Sequence, residues 1–400
     1  MKTLVAGKNR GLVLQWGHNR FYLDTVLLSV SMGILVLGYI MVASASIHLG
    51  EKMANDSFYF PKHQLIHVFM GIAAAIFVAS RPLVFWEKYA HVLFVVGLLL
   101  LVLVLVPGLG KTVNGSARWL SILGLRIQVS EVFKLISVVY MATFITHHLK
   151  MVRTSWQGML RPMIMLAVAC VFLLKEPDFG SAAVIMAVAM GMLFLAGARL
   201  IQFGILLAMA GGGAAFLVLT SPYRIRRVLS FADPWADPLN SGFQLTQALI
   251  AFGRGEWMGV GLGSSVQKLF FLPEAHTDFL FSVIGEELGL MGAFVVIILF
   301  TIIVWRAFVI GRLAERVGNP FAAFIAYGLG IWFGLQAFIN MGVNMGMLPT
   351  KGLTLPLMSY GGGSMIVMCS ALALLFRVRS EVIETCGSVN RERATWSRVS

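Results

Sequence analysis

The chain has 400 residues, 58% of them apolar and 12% charged, with a mean hydropathy of +0.84. Ordinary globular chains hold about 25% charged residues, so most of this one has no need to face water. That excludes a disordered chain, a disulfide scaffold and a cytosolic enzyme. The net charge of +13 comes from dispersed Lys and Arg that form no basic domain, so nucleic acid is excluded as a partner and membrane lipid is implied, through basic anchors facing anionic headgroups.

Crossing a bilayer takes about 20 largely neutral residues. In chain order the neutral runs are 25–47, 63–80, 92–106, 135–149, 162–174, 179–198, 200–223, 279–305, 317–350 and 352–376. Ten membrane helices are therefore expected. The fourth and fifth runs are short, and the eighth is interrupted by Glu286 and Glu287. The first run is too long for the apolar core of a signal peptide and reads as a retained anchor. The expected fold is an all-α polytopic membrane protein with a large outer (periplasmic) loop, 221–277, between helices 7 and 8. A segment 1–22 precedes the membrane domain 23–378, and a loose polar tail, 379–400, follows it. Cys170, Cys369 and Cys386 are too scattered for a zinc site or a disulfide framework. The first two sit in apolar runs, where a thiol serves as a small hydrophobe.

Loop charge sets the orientation. With ten spans both termini share a side; that side holds 18 Lys and Arg against 7 in the short loops opposite. The bias places both termini in the cytoplasm.

Polar residues concentrate on the outer side. The long loop runs Pro222-Tyr223-Arg224-Ile225-Arg226-Arg227, then a stretch at helical spacing, 242–252, expected to lie on the surface. Gly259, Gly261 and Gly263 follow, serving either a tight turn or a backbone cradle for phosphate. The loop ends Glu274-Ala275-His276-Thr277-Asp278 where the eighth span begins. Asp278 is either an N-cap or a general base at the membrane surface. Glu274 and His276 either tune it or are solvated loop residues. Glu131 and Lys134, three apart, share a helix face; they form a mutual salt bridge, or Lys134 faces an anionic ligand. Glu286 and Glu287 require a wet cavity or a cation partner. Lys351 is the only charge between Arg316 and Arg377, in a Pro- and Gly-broken stretch, Pro349 to Gly363. Such backbone is tolerated at membrane depth only when packed in protein or lining a cavity. A cation there suits a lipid-linked phosphate, or snorkels to the interface.

These residues resemble the SEDS (shape, elongation, division, sporulation) family of bacterial membrane proteins over about 20–380. The most specific parts are Arg118-Trp119 with Gln128 to Lys134, the run Pro222 to Gly289, and Gly346 to Gly363. Glu274-Ala275-His276-Thr277-Asp278-Phe279 and Pro349-Thr350-Lys351-Gly352-Leu353 resemble its division branch. The resemblance implies ten membrane helices and polymerisation of glycan strands from lipid II at the division septum of the inner membrane. It makes Asp278 the essential acid, and a class B penicillin-binding protein (transpeptidase) with the activator subcomplex of the divisome the partners. Two positions depart from the family pattern. Val129 stands where a proline is usual, and Glu176, where a glutamine is usual, is expected to add a charge to the turn after the fifth span.

In such a reaction one carboxylate suffices, to take the proton of the acceptor hydroxyl. The pyrophosphate leaving group needs charge neutralisation, for which Lys351, Lys268, Arg224, Lys134 or a divalent cation (Mg or Mn) are candidates. No cofactor motif is evident. The rival functions are a lipid II flippase, kept open by Glu131, Lys134 and the glutamate pair, and a non-catalytic divisome scaffold. Polymerisation of lipid II by purified protein separates them.

Overall fold

The computed structural model describes residues 13–16, 19–113, 116–122, 125–240, 242–269, 271–350 and 352–399, with the side chains of 14–20, 111–117, 121–126, 223 and 387–399 outside that description. A hairpin of β1 (Val13–Trp16) and β2 (Asn19–Tyr22) leads into α1 (Thr25–Ala54), α2 (Tyr59–Ser80) and α3 (Leu83–Val104). An antiparallel three-stranded sheet, β3 (Gly110–Val113), β4 (Ser116–Ile122) and β5 (Leu125–Gln128), joins α3 to α4 (Val129–Thr154). Then come α5 (Trp156–Lys175), α6 (Phe179–Leu195), α7 (Leu200–Leu219), α8 (Pro222–Ala232) and α9 (Phe243–Gly255). The last four are α10 (Leu280–Glu287), α11 (Gly289–Val317), α12 (Pro320–Asn344) and α13 (Gly362–Val399).

Among the described residues eight helices are long and apolar enough to cross a membrane: α1 to α5, α7, α11 and α12. The expected sixth run falls on α6, apolar but 17 residues long, and the tenth on α13. The chain is a multi-pass membrane protein whose lipid-facing surface includes the exposed Phe69, Leu99 and Ile201 on α2, α3 and α7. The centre is built differently. Of their apolar windows, α4 is 83% and α12 72% buried, against 17% for α2 and 11% for α7. α12 packs on α4, α6, α9, α10, α11 and α13.

Several expectations are corrected. The fourth span reads short because Glu131 and Lys134 fall inside the helix; α4 carries both, buried, and runs 26 residues. The eighth run is two helices. The chain breaks at Leu288, and Gly289 adopts φ +67, where a Cβ would collide with the Gly259 amide nitrogen. The loop before the break closes against it: Val260 N–H donates to Glu286 O (3.0 Å) and Leu290 N–H to Glu256 O (2.9 Å). The ninth and tenth runs stop short of one another, and the described residues of 345–361 hold no helix. α13 continues as helix to Val399, where a loose tail is expected from the polar sequence. Residues 242–252 do form a helix, α9, but it buries Leu245, Ala248 and Ala251 against α10 instead of resting on the surface.

The end carrying the termini is clamped by ions. Asp24 caps α1 by accepting from Leu27 N–H (3.0 Å) and pairs with Arg306 of α11 and Arg379 of α13. The opposite end carries the polar loops, joined by hydrogen bonds such as Tyr360 N–H to His276 O (2.9 Å). Burial of Cys170 and Cys369 fits their role as small hydrophobes.

Candidate active site

Asp278 lies in the turn that leads into α10, two residues before the helix starts, half-buried at the loop end of the bundle. The N-cap position belongs to Phe279, and no side chain of its own segment caps the helix. No hydrogen bond reaches the Asp278 carboxylate from the described residues, which removes the capping alternative. A Cβ built on Gly352 would stand 2.9 Å from Asp278 Oδ2, so the carboxylate packs against bare backbone of the 352–354 strand-like segment. Burial pushes its pKa up to about 7, the Glu274 carboxylate adds to the rise, Arg118 and Arg227 oppose it, and Glu131 adds a smaller push upward. A carboxyl group so placed is half ionised near neutral pH and suited to proton transfer.

The Asp278 peptide is held from α12 by a row of amides. Gln336, Asn340 and Asn344 recur every four residues, so they stack on one helix face. Asn340 and Asn344 Nδ2 donate to Asp278 O at 2.9 and 3.0 Å, and Asn340 Nδ2 also donates to Leu353 O at 2.6 Å. Gln336 Nε2 donates to Thr354 O (3.1 Å). One face of α12 thus fixes both the Asp278 turn and the broken segment opposite it.

Two arginines border the site. Arg118 on β4 donates to the carbonyls of Glu176 (3.0 Å) and Pro177 (2.6 Å). Arg227 on α8 donates to Thr350 O (3.2 Å). Both are near enough to lower the Asp278 pKa. Lys351, the expected pyrophosphate cation, lies outside the described residues.

The other expected site residues are engaged elsewhere. Lys268 is buried, donating to Glu287 Oε1 (2.6 Å) and Ser44 Oγ (3.0 Å), so it latches the loop to α10 and α1 instead of facing a ligand. Glu286 is closed by Arg254 (3.4 Å), Ser265 and Val266 N–H (3.0 Å). The cation partners required for both glutamates are therefore present. Lys134 is buried between Glu131 Oε1 (2.7 Å) and Gln336 Oε1 (2.8 Å), the mutual-bridge alternative, and is not presented to a ligand. Arg224 donates to Leu217 O (2.8 Å) at the C-terminus of α7 and stacks over Phe179. It completes a helix end; of the arginine cluster it is Arg227 that acts on Asp278. Glu274 is exposed, accepts from Thr277 Oγ1 (2.7 Å) and acts on Asp278 through its charge. His276 is no solvated loop residue. Its ring packs between Phe60 and Tyr360, and burial lowers its pKa, with Glu274 opposing. Gly259 and Gly261 serve the turn: Gly261 N–H is taken by Glu287 O (3.1 Å). Among the described residues no group of three or more His, Cys, Asp or Glu could hold a metal ion.

The family model described as "Cell cycle protein", spanning FtsW, RodA and SpoVE, matches residues 24–383. The chain belongs to this family. Among relatives, the Methylococcus capsulatus protein named "Probable peptidoglycan glycosyltransferase FtsW" is 68% identical over 96% of both chains. The Legionella pneumophila protein of the same name is 49% identical over 90% of this chain and 91% of its own. A chain from a structure described as "Structural coordination of polymerization and crosslinking by a peptidoglycan synthase complex" superposes with TM-score 0.71 at 26% identity, covering 90% of this chain and 98% of that one. Thermus thermophilus RodA superposes with TM-score 0.64 at 25% identity over 89% and 96%.

Set against the FtsW/RodA/SpoVE pattern, the departure at Glu176 is smaller than its formal charge suggests. Its carboxyl is buried and its pKa pushed up to about 8, first by burial and then by Asp178, with Arg118 opposing. At neutral pH the group is mostly a neutral acid, close in polarity to an amide, so the expected extra charge in the turn is largely absent. Val129 takes the first position of α4, where a proline would lose no helical hydrogen bond.

Proposed function

We propose that this chain is a peptidoglycan glycosyltransferase of the FtsW type, polymerising lipid II on the outer face of the bacterial inner membrane with Asp278 as general base. The observation that carries the reading is the Asp278 carboxylate itself: without a hydrogen-bond partner among the described residues, set at the loop end between arginines, with its pKa raised to about 7. A general base works best when its pKa lies near the operating pH. Family membership and the names of the relatives agree with it.

The chemistry follows from the geometry. Asp278 takes the proton of the 4-hydroxyl of the incoming lipid II sugar as that oxygen attacks C1 of the growing strand. The bond from C1 to the undecaprenyl pyrophosphate breaks and the pyrophosphate leaves with its charge. Arg118 and Arg227, which both act on Asp278 through their charge, are the cations for that leaving group, with Lys351 next to Gly352 in sequence. A divalent cation is the alternative carrier of the neutralising charge. Both lipids stay in the bilayer, which suits a site at the loop end instead of the membrane centre.

The buried charges that favour a flippase are closed: Glu131 with Lys134, Glu286 with Arg254, Glu287 with Lys268. A transport path needs ionisable groups that are open to the substrate. The partner is a class B penicillin-binding protein at the septum, both termini are cytoplasmic, and 221–277 is periplasmic. The test is purified chain with its transpeptidase partner and lipid II, with polymer resolved on a gel. Glycan polymer is expected; a complex that binds lipid II and makes none overturns the reading in favour of a flippase or scaffold.

A further inference from the structure

The entry into α10 poses a problem of chemistry. A helix starting just after an aspartate ordinarily recruits that carboxylate to its free N–H groups. A carboxylate holding such bonds is stabilised in its charged form and becomes a poor base. Here the N–H of Ser282, in the third position of α10, is shared between Phe279 O (3.1 Å) and a side chain from another helix: Asn344 Oδ1 accepts from Ser282 N (3.1 Å) and from Ser282 Oγ (2.7 Å). The same amide's Nδ2 donates to Asp278 O (3.0 Å) and to Asn340 O (2.8 Å). Its orientation is fixed, because Ser282 N–H can only donate and the Asp278 carbonyl can only accept. Asn344 is fully buried, as is Ser282. One amide thus fills the capping place with its oxygen and anchors the Asp278 peptide with its nitrogen.

We infer that Asn344 is a positioning residue for the reaction: by capping α10 from α12 it keeps the Asp278 carboxylate out of the helix end and turned toward Gly352. The inference rests on Asp278 being the base. Asn340 shares the second half of the task, through its bonds to Asp278 O and Leu353 O. A merely structural asparagine would affect only how much protein folds. One that frees the carboxylate also sets the acidity of the base. The groups acting on that carboxylate are Glu274 from its own loop, Arg118 from β4, Arg227 from α8 and Glu131 from α4. All four are left in place by changes at residue 344.

The experiment measures kcat, KM for lipid II and the pH–rate profile per folded molecule, using the full chain with its transpeptidase partner. In Asn344→Ala the Ser282 N–H keeps only Phe279 O (3.1 Å) and the α10 entry loses its side-chain cap, leaving that place open to the Asp278 carboxylate. The acid limb of the profile should move down by about one pH unit or more, as for a carboxylate that gains N–H bonds. kcat should fall about tenfold or more, from the misplaced base, with KM little changed. Asn344→Asp keeps an oxygen for Ser282 and loses the donor to Asp278 O, so kcat should fall while the acid limb does not move down. If folded Asn344→Ala keeps both the wild-type kcat and the wild-type acid limb, the inference is overturned. Should Asn344→Ala fail to fold, Asn344→Asp decides: a wild-type kcat overturns the inference and a reduced one supports it. Asp278→Asn, run beside them, separates the two claims. If that variant is active the base assignment falls, whereas an inactive Asp278→Asn with a wild-type Asn344→Ala removes only the role of Asn344.

Discussion

Replacing Lys268 separates a latch from a ligand contact. Lys268 Nζ lies 2.6 Å from Glu287 Oε1 and 3.0 Å from Ser44 Oγ, and Ser44 Oγ in turn donates to Glu287 at 2.7 and 2.8 Å. Lys268 is 7% exposed and Glu287 not at all. In Lys268→Met the carboxylate keeps Ser44 and the Ser265 N–H (3.4 Å) but loses its cation. Removing one member of a buried ion pair costs about 3–5 kcal/mol, whereas replacing both by apolar residues of similar volume is often neutral or stabilising. Melting in detergent should therefore order as wild type and Lys268→Met/Glu287→Leu together, with Lys268→Met well below. Polymer made per folded molecule should survive in the double variant, because both side chains are buried against one another. If Lys268→Met melts like wild type yet loses lipid II polymerisation, Lys268 is a substrate residue and its role as a latch is refuted.

Three further outcomes are expected. Glu176 is raised to about 8 against an ordinary 4.5, so the folded state holds its proton longer than the unfolded one, and stability falls as pH rises from about 4.5 to 8. Glu176→Gln should flatten that fall and melt higher than wild type at pH 8–9, by on the order of a few kcal/mol at most; an unchanged pH dependence would show that the carboxyl is solvated. Lys351→Met should weaken use of limiting lipid II by a charge-assisted contact of about 1.5–3 kcal/mol, with Lys351→Arg recovering part, and wild-type turnover in Lys351→Met would leave the pyrophosphate to Arg118 and Arg227. A cysteine at Asn240, in an otherwise cysteine-free chain, should react with an impermeant maleimide once the outer membrane is permeabilised; labelling only after inner-membrane lysis would invert the topology.

Much of the membrane domain was legible in the sequence because lipid demands long neutral runs, and α1, α2, α3, α7 and α12 coincide with such runs. The break between α10 and α11 was not, since Glu286-Glu287-Leu288-Gly289 reads equally as a charged interruption of one helix. Asp278 stands out in the sequence from its place between a polar loop and a membrane helix. Lys268 and Lys134 read as candidate ligand cations because Glu287, 19 residues from Lys268, and Gln336, 202 from Lys134, are invisible locally, whereas the Glu131–Lys134 bridge is legible in its three-residue spacing. The sequence marks Arg118 in the resemblance and Arg227 in the arginine run after Pro222, but nothing local joins β4 and α8 to Asp278. The amides at 336, 340 and 344 carried a usable signal, three polar side chains at a four-residue spacing in an apolar helix. The three strands after α3 gave no comparable pattern, being short and flanked by glycine.

The base assignment is tested most directly by Asp278→Asn, purified with its transpeptidase partner and assayed for lipid II polymer. Asn nearly preserves the shape of Asp, and the helix entry is capped by Asn344, so melting and complex formation should match wild type. Without an ionisable oxygen, polymerisation should fall by about 100-fold or more, while the wild-type rate should rise with pH through about 7 as the carboxyl loses its proton. Near-wild-type polymer from folded Asp278→Asn would contradict the account and move the base elsewhere, to Glu274 first.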